Sequence, residues 1–164
     1  ESKVKEKSII FSAQEVMDAL AGLKIKKRIP FKHQSPSDEY VLSTCLSKTG
    51  SKREIGKYHW IKLDGLSVID GKQPYFSPPY RKGGVVWVKE SYGNPEIIVY
   101  RADGMTCSFG RADHLVTAWY PAAQMPRWAS RITMNVVSVG FEKGNLAVWV
   151  IELEVYSIKD RCKR

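Results

Sequence analysis

The chain has 164 residues, long enough for one domain whose core needs no disulfide or metal staple. A hydrophobic fraction of 43% excludes a disordered chain, and no apolar run approaches the ~18–20 residues of a membrane-spanning helix. The formal net charge of +9 favours an anionic partner, most simply nucleic acid, RNA or DNA.

Part of that charge sits at the ends, on Lys3, Lys5, Lys7, Lys159, Arg161, Lys163 and Arg164, where solvation alone also accounts for it. The sequence begins at Glu1, which reads as a trimmed end. Residues 1–7 are charged and the apolar stretch after them is too short for a signal peptide, so a cytoplasmic protein is expected. Cys45, Cys107 and Cys162 stand far apart, as do His33, His59 and His114. They read as free thiols and dispersed imidazoles, with neither a metal site nor a cofactor expected.

In chain order, residues 8–11 form a short apolar strand candidate. Ser12-Ala13-Gln14-Glu15 has the form of a capping box, which opens a helix over 13–21. Val16, Ala19, Leu20 and Leu23 follow at helical spacing, with Met17 widening the stripe and Gly22 as the stop. From Lys24 the period becomes two. Ile25, Ile29 and Phe31 share one strand face, Lys27 interrupting it, while Lys24, Lys26 and Arg28 share the other. Residues 33–57 are polar and read as a mobile insertion, in which 40–46 offers a strand or one helical turn.

Residues 58–63 alternate as a strand, and 66–69 are a weaker candidate. After a turn-filled stretch, 85–89 is a buried strand ending on Glu90. Residues 97–101 give another, and 119–127 are irregular and punctuated by proline. Residues 131–141 and 146–158 pair as a long hairpin around Glu142-Lys143-Gly144-Asn145. Many strands with one clear helix predict an α+β fold, a small mixed β-barrel in a single domain spanning 1–164.

Several stretches resemble a known family. Ser8-Ile9-Ile10-Phe11-Ser12, Gly22-x-Lys24-x-x-x-Arg28 and Pro79-Tyr80-x-x-Gly83-x-x-x-Trp87-Val88-x-Glu90 resemble the ASCH domain of the PUA-like superfamily. Tyr100-Arg101-Ala102-Asp103 and Met125-Pro126-Arg127-Trp128-Ala129-Ser130-Arg131-Ile132 are similar to a narrower set, the ASCH-like proteins of temperate bacteriophages and prophages. The likeness covers nearly the whole chain apart from 33–57. It implies a PUA-like β-barrel with flanking helices whose mouth binds RNA, DNA or a modified nucleobase. It also implies a bacterial host cytoplasm. Some relatives hydrolyse an acyl amide on cytidine and others are ribonucleases; their site joins a Lys and a Thr of a Gly-x-Lys-Thr motif to a Glu ending the Trp-Val-x-Glu strand. Lys24 and Glu90 match that pattern, whereas Ile25 stands in the place of the Thr and Lys27 in that of a second one.

The residues open a limited chemistry. Lys24 is a candidate base or nucleophile, or else a phosphate contact or a solvated cation at a helix end. Glu90 is a candidate general acid/base, an acceptor for an exocyclic amine, or a strand-end carboxylate paired with a cation. Ile25 can neither donate, accept nor attack, so a hydroxyl-dependent reaction lacks a part. Lys26, Lys27, Arg28 and Lys32 form a candidate phosphate track. Arg127, Trp128 and Arg131 combine cations with a ring, a mixture suited to phosphate contact and base stacking, or equally to a core Trp128 with arginines capping neighbouring carbonyls. Nucleic-acid binding with a pocket for one base therefore ranks first, hydrolysis of an N4-acylated cytidine or RNA cleavage second, and a host-protein interaction module third. Both leading readings require Lys24 and Glu90 to share one concavity. The oligomeric state is left open.

Overall fold

A computed structural model describes residues 6–44, 56–64, 67–68, 74–93, 98–103 and 119–159. Among them the chain is mostly strand, with one α-helix. The first half contributes β1 (Lys7–Ile10), α1 (Ala13–Leu20), β2 (Ile25–Pro30), β3 (Tyr40–Thr44), β4 (Tyr58–Asp64) and β5 (Ser67–Val68). The second contributes β6 (Val85–Lys89), β7 (Tyr92–Gly93), β8 (Val99–Tyr100), β9 (Trp119–Tyr120), β10 (Ile132–Lys143) and β11 (Ala147–Ile158). Contacts gather into two compact units: residues 1–27, 80–139 and 151–164 in the first, and 28–79 and 140–150 in the second.

The first unit is built on a curled sheet in the order β1-β6-β10-β11-β2. β1 runs parallel to β6, with Ile9 opposite Val88, and β10 runs antiparallel to it, with Thr133 opposite Trp87. The uniformly apolar 85–89 run resolves into alternation. Val86 and Val88 are buried, while Val85, Trp87 and Lys89 point to the half-exposed face. Helix α1 begins as its sequence dictates: the Ser12 hydroxyl accepts from the Glu15 backbone N–H, and the Glu15 carboxylate accepts from that of Ser12. Val16 and Ala19 are buried, but Met17 and Leu23 are exposed. The helix lasts only two turns, and Gly22, at φ +78°, turns the chain before Leu23 can rejoin the stripe. A small sheet, β8-β7-β9, lays Tyr92 beside Tyr100 and Tyr120, the latter stacked at 5.3 Å.

The second unit has a three-stranded sheet, β3-β4-β5, with Leu42 opposite Trp60. Its core is aromatic. Phe31 stacks on Trp149 at 4.2 Å and meets Phe76 at 5.2 Å, and the Trp60 indole donates to the His33 carbonyl at 2.8 Å. Residues 33–44, the described start of the expected insertion 33–57, include β3, the strand that 40–46 offered, and carry hydrogen bonds to the aromatic core. The Gln34 amide donates to the carbonyls of Phe31 and Ala147 and accepts from the Ala147 N–H. One polar side chain thus satisfies three backbone groups, a constraint that polar composition hides. Residues 45–55 of that expected insertion lie outside the described residues, as do Cys45, Cys107, His114 and Cys162.

Candidate nucleic-acid interface

Glu90, one residue past β6, is 2% exposed. Its partner is Arg131, not Lys24. The guanidinium donates from Nε to Oε1 at 2.9 Å and from a terminal nitrogen to Oε2 at 3.0 Å, a bidentate pair. Arg131 also holds Asp103 at 2.7 Å and lies over the Tyr100 ring at 4.0 Å. The expected Lys24–Glu90 pairing is therefore corrected. Lys24 is exposed ahead of β2, and its charge is felt at Glu152, whose pKa is lowered by hydrogen bonds from Ser138 and Lys26 with a smaller pull from Lys24. Alternation had placed Lys24 on the solvent face of its strand; on that face it cannot follow Ile25 inward.

The trio is electrostatically loaded, with Glu90 and Arg131 buried and Asp103 partly exposed. Burial pushes the Glu90 carboxyl above the ordinary carboxylate range. Arg131's hydrogen bonds pull it back and the nearby Asp103 charge pushes it up again. Burial alone would lower the Arg131 pKa, but hydrogen bonds to Glu90 and Asp103 outweigh it and raise it. A guanidinium 9% exposed and committed to two carboxylates is not available to a phosphate, so the expected role of Arg131 as a phosphate contact is also corrected.

The block around it acts as a clamp. The Ser130 hydroxyl donates to the Val88 carbonyl at 2.7 Å, and the Tyr100 hydroxyl donates to that of Ala129 at 2.7 Å. Met125 packs with Tyr100 and Ala129.

The candidate cation track on β2 keeps the expected faces. Lys26 and Arg28 are exposed, Lys27 is half-buried and Ile25 is buried. Each of the three cations has an acidic partner: Lys26 pairs with Glu152 at 3.3 Å, Lys27 with Glu15 at 2.8 Å and Arg28 with Glu142 at 3.1 Å. Lys27 also donates to the Ile10 carbonyl at 2.5 Å, tying helix, strand and sheet edge together. These cations act first as internal fasteners. Lys32 instead lines a cleft in the second unit.

Arg127 and Trp128 take a different place. Trp128 is 57% exposed in the middle of a short 3-10 turn, 127–129. The Arg127 guanidinium lies over the Trp87 ring at 5.7 Å, and the Lys89 ammonium lies over the same ring at 5.2 Å. Trp87 is thus partly exposed, with two cations over its ring. Arg127 also pairs with Glu6 at 2.8 Å, and its hydrogen bond is the main reason that carboxyl lies below the ordinary range. Glu6 precedes Lys7, which lines a cleft of about 310 Å³ with Tyr80, Arg81, Val85, Val86 and Val136. The sequence reading missed Lys89 and Tyr80 here. Period-two alternation along 85–89, which puts Trp87 and Lys89 on one face, was the signal that could have found the first.

Among the described residues no group of His, Cys, Asp and Glu could hold a metal ion, and no helix is long and apolar enough to cross a membrane. Comparison with protein-family models, with curated proteins and with solved structures finds no match to this chain.

Proposed function

We propose that this chain is a PUA-like protein of the ASCH type, akin to those of temperate phages and prophages, that binds single-stranded nucleic acid in a bacterial cytoplasm. The carrying observation is Trp128: a large ring left more than half in solvent, next in sequence to Arg127, whose guanidinium lies with the Lys89 ammonium over the Trp87 ring. Base stacking on an exposed aromatic ring is worth ~1–3 kcal/mol per base. Arg127 reaches phosphate by giving up Glu6, an exposed pair of the kind worth at most about 1 kcal/mol. Along the same unit, the cleft holding Tyr80, Lys7 and Arg81 has the capacity for one base, at the lower end of the roughly 300–1,000 Å³ of small-ligand sites.

Amidohydrolysis of an acylated cytidine has no such support. Both Glu90 oxygens accept from Arg131, Lys24 is exposed near Glu152, and Ile25 is buried without a hydroxyl. The interface needs no turnover.

The test is fluorescence anisotropy with labelled single-stranded RNA and DNA decamers. We expect Trp128→Ala to weaken binding by roughly 5- to 100-fold, the equivalent of one stacked base. With Arg127, Lys89 and Lys7 each neutralising a phosphate, log K should fall with log salt at a slope of about −2. Absence of binding at low salt, or indifference to Trp128→Ala, would overturn the reading. So would acetate release from N4-acetylcytidine that Glu90→Gln abolishes.

A further inference from the structure

The second unit contains a cleft unrelated to the tryptophan face. It measures about 230 Å³ and is lined by Lys32, His33, Lys57, Tyr75, Phe76 and Ser77. Its walls are held by the aromatic core. Tyr58 and Phe76 exchange two backbone hydrogen bonds of 2.8 Å, fixing Lys57 against 75–77. Phe76 is buried against Phe31 and Trp60 and forms the floor. The Trp60 indole holds the His33 carbonyl, and the Phe31 N–H donates to the Ala147 carbonyl at 3.0 Å, which together set where Lys32 and His33 emerge. The Tyr75 ring is backed by His59 at 4.6 Å.

Among the described residues, two cations of the cleft stand without an acidic partner. Lys26, Lys27, Arg28, Lys62, Arg127 and Arg131 all have carboxylate partners. Lys32 and Lys57 have none among the described residues, nor does any described carboxylate line the cleft. Two lysines, a histidine and a serine thus line one cleft in which no described carboxylate stands. Cationic and hydrogen-bonding residues gathered around one hollow beside buried Phe76 supply the donor types an anion needs. The volume lies below the roughly 300 Å³ at which drug-sized sites begin, so it takes a small anion or one end of a larger molecule.

We infer that this cleft binds a phosphate monoester, with Lys32 and Lys57 neutralising the dianion, Ser77 and His33 donating hydrogen bonds, and Tyr75 beside whatever ring carries the phosphate. The site is independent of the proposed strand-binding face, since it lies in the other unit and shares no residue with it.

The experiment is isothermal titration of the full chain with inorganic phosphate and with cytidine 5′-monophosphate, repeated on Lys32→Gln, Lys57→Gln and the double variant. All three changes lie on or beside the surface. Lys82→Gln, an exposed cation of the first unit, serves as control. We expect saturable binding of both probes. The double variant should weaken it at least tenfold, while Lys82→Gln leaves it unchanged. Tighter binding of the nucleotide than of inorganic phosphate would assign the ring a place against Tyr75; equal binding would assign the site to the phosphate alone. No saturable binding, or an equal loss in Lys82→Gln, overturns the proposal. Loss of oligonucleotide binding in Trp128→Ala bears on the other face alone.

Discussion

Arg131→Met should be the most damaging single surface-preserving change in the chain, and its cost should depend on pH. Methionine has similar length and no charge, so packing over Tyr100 is largely kept. What changes is Glu90, left 2% exposed with Asp103 as its charged neighbour. An opposite charge ~4 Å away at an effective dielectric of 20 is worth about 4 kcal/mol, and breaking a buried pair from one side typically costs about 3–5 kcal/mol. The stranded carboxylate can escape by taking a proton. With an ordinary value of 4.5, protonation at pH 7 costs about 3.4 kcal/mol, at about 1.4 kcal/mol per pH unit. That sets a ceiling near 3 kcal/mol for Glu90's share.

The sign follows from linkage. In the variant, the Glu90 pKa is raised still further in the folded state. Its favourable contribution is full below the unfolded value and is lost as pH rises through the folded one. The destabilisation should therefore be about 3 kcal/mol at pH 7 and shrink to about 1 kcal/mol at pH 5. Urea denaturation followed by circular dichroism at both pH values measures it. Adding Glu90→Gln to Arg131→Met should recover most of the loss at pH 7, because both buried charges are then gone. A cost under about 1 kcal/mol at pH 7, or one equal at the two pH values, would refute the reasoning that desolvation governs this cluster.

Two other outcomes are expected. Ser12→Ala removes the hydroxyl that accepts from Glu15 N–H and should lower stability by about 1 kcal/mol in the same urea titration. For Glu15, burial alone would raise the carboxyl, but hydrogen bonds from Lys27 and Ser12 outweigh it and hold the pKa below the ordinary range. Its stabilising contribution is present above that range and lost as pH falls through the lowered folded value. Lys27→Met should shrink this acid-side step, the Ser12 hydrogen bonds remaining, at a cost of about 1 kcal/mol or less, read from the chemical shift of the Glu15 carboxyl across the titration.

Local rules carried the sequence reading as far as elements and faces. The capping box located α1, the alternation of Ile25 against Lys24, Lys26 and Arg28 predicted which side of β2 meets solvent, and the Gly144-Asn145 turn placed the long hairpin. Partnership was out of reach. Glu90 and Arg131 are 41 residues apart, and alternation states which face a side chain takes without naming what it meets there. The same gap misassigned Lys24, whose match to a motif said nothing of Glu152. Gln34 shows it once more. An amide that orders Phe31 and Ala147 looks, in a string of letters, like any loop glutamine. For Trp128, composition alone left burial and exposure equally open, and only coordinates decide that.

The chain enters the second unit after residue 27, leaves it after 79, re-enters after 139 and leaves again after 150. Strands β2, β10 and β11 run unbroken through those boundaries. Neither unit is thus a contiguous stretch of gene, and a single recombination event cannot exchange one for a foreign counterpart without severing a strand. The two have to be inherited as one piece, so selection on either unit constrains the sequence that encodes the other.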